Sequence, residues 1–462
     1  MSFVKSIWGQ LNKKMVYYSQ KILFLLILAF LFVLPWQTRY IFSPAFINNQ
    51  PWEYGTKSLY GTEILAWLII LFFILSNVGN IKEFFFRKKT LRSYIAVLLC
   101  SCFVLGLFVV AYLGSNPSIS FYYIYRVVLG MIVCSILIQV KNASFASDEV
   151  ERDGGQSRIM LFVFWLSGVV QGILATVQFF TQQVSSNKWL GLAEQSGSTL
   201  GAAVIELSSG RWLRAYGAFG WPNSLGIYLA ITWIIGLIVY ISYNDLLKNS
   251  SMKAVLTGGQ LLILSGLILS FSRSAWAAAL IGSACLGTVS FFRYRKEIKS
   301  LIFQALYSLS VVIFFFIIAH PLFTTRFSVE NRLERRSVNE RVGQWREAKR
   351  VFLAHPLQGV GPGAATWYFH TIHPDFNMWE IQPTHNIYLL GLIETGVVMF
   401  ILFGVLYSWF LKNIFTYNPL YISVIITMFL TGLLDHWLWS LYGGVMTWWV
   451  VWGLGMIKYS DK

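Results

Sequence analysis

The chain of 462 residues is 56% hydrophobic, 17% aromatic and only 12% charged, which is more apolar surface than a soluble fold can cover. Its net charge of +16 would suit nucleic acid, but Lys and Arg gather in short segments between apolar runs, the arrangement that sets membrane topology and contacts anionic lipid. Composition therefore excludes a soluble protein and assigns the charge to the bilayer rather than to a nucleic-acid partner.

About twelve apolar stretches are long enough to cross a hydrocarbon core of roughly 30 Å as helices. They run approximately over 21–36, 63–79, 93–114, 121–140, 159–180, 222–243, 254–271, 273–292, 301–319, 384–411, 418–434 and 440–457. No small-residue cleavage site follows the first, so it is expected to be retained. The predicted fold class is all-α, a polytopic transmembrane helical bundle forming one integral membrane domain over residues 1–462, with no internal repeat. Cys100, Cys102, Cys134 and Cys285 fall inside apolar runs and read as core, since neither a disulfide framework nor a thiolate metal site is expected there.

Alternate connections are basic. Lys5, Lys13, Lys14 and Lys21 precede the first span, Lys82, Arg87, Lys88, Lys89 and Arg92 follow the second, and Arg293, Arg295, Lys296 and Lys299 follow the eighth. The positive-inside rule makes these connections and both termini cytoplasmic, as an even span count requires. Segments 37–62, 181–221 and 320–383 then face outward. The last is the longest and carries Arg326, Arg332, Arg335, Arg336, Arg341, Arg346 and Arg350 against the usual bias, which makes it an anion-binding surface, a solvated face or a segment placed on the wrong side; moving it inside would reverse every other basic connection, so it is kept outside. Val338, Val342, Trp345 and Phe352 recur there at helical spacing and Pro356 ends the run. An amphipathic helix is predicted, lying on the membrane or over a cavity, with packing of its apolar face on the bundle as the plainer alternative.

Ionisable groups at membrane depth are functional candidates by default. Arg214 opens RAYGAFGWPN, which leaves an outward loop, turns at Gly217 and Gly220, and enters a span at Pro222, a residue suited to a first helical turn. Arg273 sits in FSRSAW at the junction of two spans, where a guanidinium must be paired, hydrated or snorkelling to the interface. His385 lies in QPTHNIYLLGLIETG, where a loop closes back into the membrane. Asp435-His436 stands at a span end, where a carboxylate orients an arginine or caps a helix. Arg126, inside the fourth span, needs a partner that the sequence does not name. His370, His373 and Asp375 could form a zinc site, though structural roles are commoner. Gly359-Val-Gly361-Pro-Gly363 follows no strand and reads as a sharp turn rather than a nucleotide loop. Trp189, Trp212, Trp221, Trp367 and Trp379 suit sugar stacking or interfacial anchoring.

Taken in order, these segments resemble the O-antigen ligase and polymerase superfamily over roughly residues 210–400. The resemblance rests on Arg214, Gly217, Phe219, Pro222 and Asn223, on Ser272-Arg273, on the stretch from Arg341 and Trp345 through Phe352, Pro356, Gly359, Gly361 and Gly363, on His385-Asn386, and on Glu394-Thr395-Gly396. It implies a helical glycosyltransferase of the C type at the outer face of the inner membrane, taking an undecaprenyl-diphosphate-linked glycan as donor and a glycolipid or glycan hydroxyl as acceptor. Arg214 and Arg273 would hold the diphosphate and stabilise it as it leaves. His385 would take the acceptor proton. Arg341, Asn386 and Asn223 would bind substrate, with Asp435 beside them. One in-line displacement would invert the anomeric centre. No Asp-x-Asp pair stands in an outward loop, so a reaction without metal or other cofactor is expected. A ligase is the first expectation. A repeat-unit polymerase, a protein oligosaccharyltransferase, a lipid-linked oligosaccharide flippase or a non-catalytic assembly partner are the rivals. A flippase predicts pseudo-symmetric halves, and none is found.

Overall fold

The computed structural model describes residues 2–77, 91–140, 155–242, 250–295, 298–328 and 332–457. The basic residues Lys82, Arg87, Lys88, Lys89 and Lys296 lie outside them. Among the described residues, nine helical segments are long and apolar enough to cross a membrane: Lys14–Val33, Tyr94–Leu113, Pro117–Val140, Gly155–Thr181, Pro222–Ile241, Ser250–Leu269, Arg273–Arg293, Ile298–Ile318 and Ile387–Tyr417. The fold is thus a polytopic helical bundle. The three other predicted spans form shorter helices, Gly61–Ser76, Ile422–Gly432 and Tyr442–Gly455, which fall below the roughly 20 residues a perpendicular crossing needs.

Helix Pro222–Ser242 is enclosed by Gly155–Thr181, Ser250–Leu269, Arg273–Arg293 and Ile422–Gly432. An all-round apolar sequence such as IYLAITWIIGLIVYI suits that position, having no face that requires water. Small residues let its neighbours close up. A Cβ on Gly172 would lie 2.3 Å from the Leu262 carbonyl oxygen, and one on Gly266 2.8 Å from the Gly172 Cα, so helices Gly155–Thr181 and Ser250–Leu269 touch backbone to backbone. Tyr442–Gly455 is buried along its whole length and packs on Pro117–Val140. Of the four cysteines, all free, Cys134 is buried and Cys100 and Cys285 are half-buried, whereas Cys102 is exposed. Cys102 is therefore not a core residue: an apolar helix facing lipid shows no polar face by which sequence could orient it.

Four small antiparallel pairs stand outside the bundle: Arg39–Ser43 with Lys57–Tyr60, Phe46–Ile47 with Gln50–Pro51, Gln183–Val184 with Gln195–Ser196, and Val204–Leu207 with Gly210–Leu213. Asn48 and Asn49 both take positive φ between the second pair, the conformation a two-residue hairpin demands. These hairpins occupy segments 37–62 and 181–221 and meet segment 320–383 at one end of the bundle. The Asn48 amide donates to the Pro374 carbonyl (3.0 Å), Tyr54 to Gln382 (3.0 Å) and Thr38 to the Trp189 carbonyl (2.7 Å).

Segment 320–383 holds three helices, His320–Phe327, Arg332–Ala354 and Ala365–Ile372. The predicted amphipathic helix is the second, but it is turned opposite to a helix packing its apolar face inward. Val338, Val342 and Trp345 are exposed, and of the predicted stripe only Phe352 packs against a buried cluster. The inward stripe is Glu334, Arg341, Gln344, Ala348 and Val351, spaced by three, four and seven, so that a largely polar face meets the bundle end. Below it, segment 357–363 straps a break in helix Ile387–Tyr417 at Gly396 (φ 73°, ψ 171°). Val360 and Gly361 donate to the carbonyls of Ile393 and Glu394 (2.9 Å each), and Val397 donates to that of Pro356 (2.9 Å). The strap takes positive φ at Gly359, Gly361 and Gly363, and a Cβ on Gly359 would lie 2.5 Å from the Glu394 carbonyl carbon. The glycine cluster is a turn, and glycine is required for its shape.

Candidate active site

Helix Ser250–Leu269 ends where the site begins. Its last carbonyl and the two that follow it have no partner within the helix, and the site's own groups fill them. Ala215 N donates to the Leu269 carbonyl (3.1 Å), Arg214 Nε to that of Ser270 (2.9 Å) and Arg326 Nε to that of Phe271 (2.9 Å). Phe271 takes positive φ (48°), uncommon for an aromatic residue, and reverses the chain into Arg273–Arg293. Arg273 is therefore the first residue of its helix, after Ser272. The turn holding Arg214 is clamped by two buried glutamines: Gln178 Oε1 accepts from Tyr216 N (3.1 Å) and Gly217 N (2.8 Å), and Gln171 Oε1 accepts from Ala218 N (2.8 Å). Arg214 is buried, and Nη2 donates to Asn223 Oδ1 at 2.7 Å. Asn223 thus holds an arginine.

A buried carboxylate organises the cations. Glu334, from the inward stripe, pairs with Arg273 (2.8 Å) and with Arg326, while Arg273 Nη1 donates to the Arg326 carbonyl (3.0 Å). Burial, and next the Arg326 charge, lower the pKa of Arg214; burial also lowers those of Arg326 and Arg341, opposed for Arg326 by Glu334 and for Arg341 by Asp435. Guanidinium starts so far above neutrality that all remain cationic. Four arginines linked to one another through Arg273 and Arg326, against the buried carboxylates of Glu334 and Asp435, leave an excess of positive charge.

His385 continues this cluster through Arg341 and Asp435, both of which act on its imidazole. Gln344 Oε1 accepts from the His385 backbone N–H (3.0 Å) and faces Nδ1 at 2.9 Å. A backbone N–H can only donate, which fixes the amide oxygen toward His385. Nδ1 must then carry the hydrogen, leaving the Nε2 lone pair free. The His436 ring lies edge-on to it, centroids 4.8 Å apart, and His436 Nδ1 meets Ser440 Oγ at 2.5 Å. Burial, then His436, push the His385 pKa below the ordinary imidazole value; burial lowers His436 likewise. Both rings are neutral at physiological pH. Asn386 Oδ1 caps the next helix, accepting from Tyr388 N (2.9 Å) and Leu389 N (3.0 Å), and Asp435 Oδ1 accepts from Trp437 N at 2.8 Å.

Other candidates have structural partners. Arg126 is the cation of an aromatic cage, 4.2 Å from the Tyr122 ring centre, 5.7 Å from Tyr60 and 5.9 Å from Tyr442, and it donates to the Tyr122 hydroxyl (2.8 Å). His370 lies edge-on to Trp367, whereas His373 faces Glu347 at 3.3 Å and stacks on Phe376. They do not converge, and among the described residues no three His, Cys, Asp or Glu side chains gather as a metal requires.

Residues 259–404 match the family model described as O-antigen ligase. That stretch of the chain is similar to the O-antigen ligase superfamily. At family level that is a membrane enzyme of the glycosyltransferase type, with glycan-related substrates. The matched O-antigen ligase region contains Arg273, Arg326, Glu334, Arg341, Gln344, His385 and Asn386, while Arg214, Asn223, Asp435 and His436 come from elements on either side. No curated protein matches the chain. Glu334, Gln344 and His436 are the residues that sequence reasoning passes over or leaves without a role. The only trace of the first two is their spacing with Arg341 on one helical face.

Proposed function

We propose that the chain transfers a glycan from undecaprenyl diphosphate to an acceptor hydroxyl, as a ligase, at the outer face of the inner membrane with both termini cytoplasmic. The observation that carries this reading is the excess of guanidinium around Glu334, joined through Arg341 to an imidazole whose Nε2 is free. Arg214 and Arg273 bind the diphosphate, and Arg341, with the amides of Asn223 and Asn386, completes the substrate contacts. As the acceptor oxygen attacks the anomeric carbon, His385 Nε2 takes its proton. The bond from that carbon to the diphosphate breaks from the opposite face, inverting the centre. The negative charge growing on the leaving group falls among arginines already in place, so no reorganisation delays the step. Guanidinium charge does what a metal would do elsewhere, and the reading is metal-independent.

The test is transfer from purified undecaprenyl-diphosphate-linked glycan with EDTA present. Wild type is expected to transfer. His385→Ala and Arg273→Ala are expected to fall by about 10²–10³-fold, the scale for removing one such group. Equal transfer rates in folded variants would remove His385 and Arg273 from the chemistry, and no transfer by folded wild type would return the flippase reading.

A further inference from the structure

Beside the site, the first turns of helix Arg332–Ala354 and the loop leading to His385 enclose an open cleft of about 580 Å³, lined by Arg332, Arg335, Arg336, Asn339, Glu340 and Trp379. The volume lies in the range of small-ligand sites, roughly 300–1,000 Å³. Its charges do not cancel. Arg336 pairs with Glu340 (2.7 Å) and Arg332 with Glu206 (2.9 Å), while Arg335 has no carboxylate partner among the described residues. Trp379 is exposed, with the Arg336 guanidinium 4.7 Å from its ring centre. An aromatic face beside a guanidinium without a carboxylate partner and an amide is what a sugar bearing a carboxylate requires: the ring stacks, the hydroxyls reach Asn339, and the anion meets Arg335, with the Glu340-paired Arg336 adding to the positive field. Position assigns the cleft to one substrate. Glu340 acts on the His385 imidazole and Trp379 lies six residues before it, so one wall of the cleft stands at the end where the acceptor hydroxyl loses its proton, while Arg332 at the other wall pairs with Glu206.

We propose that this cleft is the acceptor subsite and that it selects a glycan carrying a carboxylate sugar. Its assignment to the acceptor rests on the transferase reading; its preference for an acidic sugar does not. The experiment measures binding of tetragalacturonate and of neutral maltotetraose to the full chain in phosphatidylcholine nanodiscs by calorimetry. Wild type is expected to bind the acidic probe at least roughly tenfold more tightly, with an advantage that shrinks as salt rises. Arg335→Gln with Arg336→Gln is expected to lose that advantage, and Trp379→Ala to weaken both probes. Equal binding of the two probes, or an unchanged preference in the double variant, would overturn the proposal. So would loss of the acidic probe when phosphatidylglycerol is added to the nanodisc, which would make the cleft a lipid headgroup site. His385→Ala keeps the two readings apart, because it is expected to bind tetragalacturonate like wild type while failing to transfer. A His385→Ala protein that still transfers would remove His385 as the base, and with it the assignment of the cleft to the acceptor, without touching the binding preference.

Discussion

At the scale of single residues, the candidate base works only in one tautomer, and Gln344 selects it. Gln344→Leu removes the acceptor that holds the hydrogen on Nδ1. As a positioning change it is expected to lower kcat roughly 10–100-fold, in the range for losing an orienting partner, with the donor KM little moved; a parallel rise in KM would mean collapse of the site instead. The pH profile follows from the lowered imidazole pKa. The base is active when neutral, so the acidic limb of kcat/KM is expected below the ordinary value of about 6.5. Bound diphosphate stabilises the imidazolium, so the limb of kcat should lie at higher pH, and coincident limbs would count against His385 as the base. Stability has the same sign. An unfolded histidine takes a proton near pH 6.5 that the buried His385 and His436 resist, so the fold loses stability as pH falls below that value. Sequence shows Arg214, Arg273 and His385 because each breaks an apolar context. It does not show Glu334 or Gln344, which are ordinary polar residues in a polar helix until the fold turns them inward.

At the scale of elements, spans are legible from apolar length, and nine of the twelve have full length in the structure. The other three look alike in composition and differ in where their caps fall, which apolar counting does not sense. Hairpins escape for the same reason. The amphipathic helix was legible from its apolar stripe, which the structure leaves exposed; what the sequence did not show is that the opposite, polar stripe is the one the bundle end needs. The strap is this region's sensitive point. Gly359→Ala places a side chain in a left-handed conformation and against the Glu394 backbone, and is expected to cost about 1–3 kcal/mol, read as earlier thermal unfolding in detergent. Gly343→Ala, where a Cβ meets nothing within 4 Å, is the control and should leave stability level or raised. Equal behaviour of the two variants would mean that the strap does not hold the break at Gly396.

At the scale of the whole molecule, the site is assembled from the ends of distant elements: a loop before one span, a junction between two others, an inward helix face and a later helix cap. That is why its members lie from 214 to 436 in sequence and why the matched region alone does not complete it. Backbone contact between helices Gly155–Thr181 and Ser250–Leu269 sets the carbonyls that hold Arg214 and Arg326. Gly172→Val is therefore expected to reduce transfer although it lies away from any substrate; full activity with unchanged stability would show that the two helices can separate without moving the arginines. The enclosure of Pro222–Ser242 also has a consequence for biogenesis. When that helix leaves the insertion machinery, its partner Ile422–Gly432 has not been synthesised, so one flank must first be solvated by lipid. Chains halted before residue 422 should hold the helix in the bilayer yet leave it open to lipid-phase crosslinkers, and the complete chain should close it off, making this docking one of the last steps in maturation.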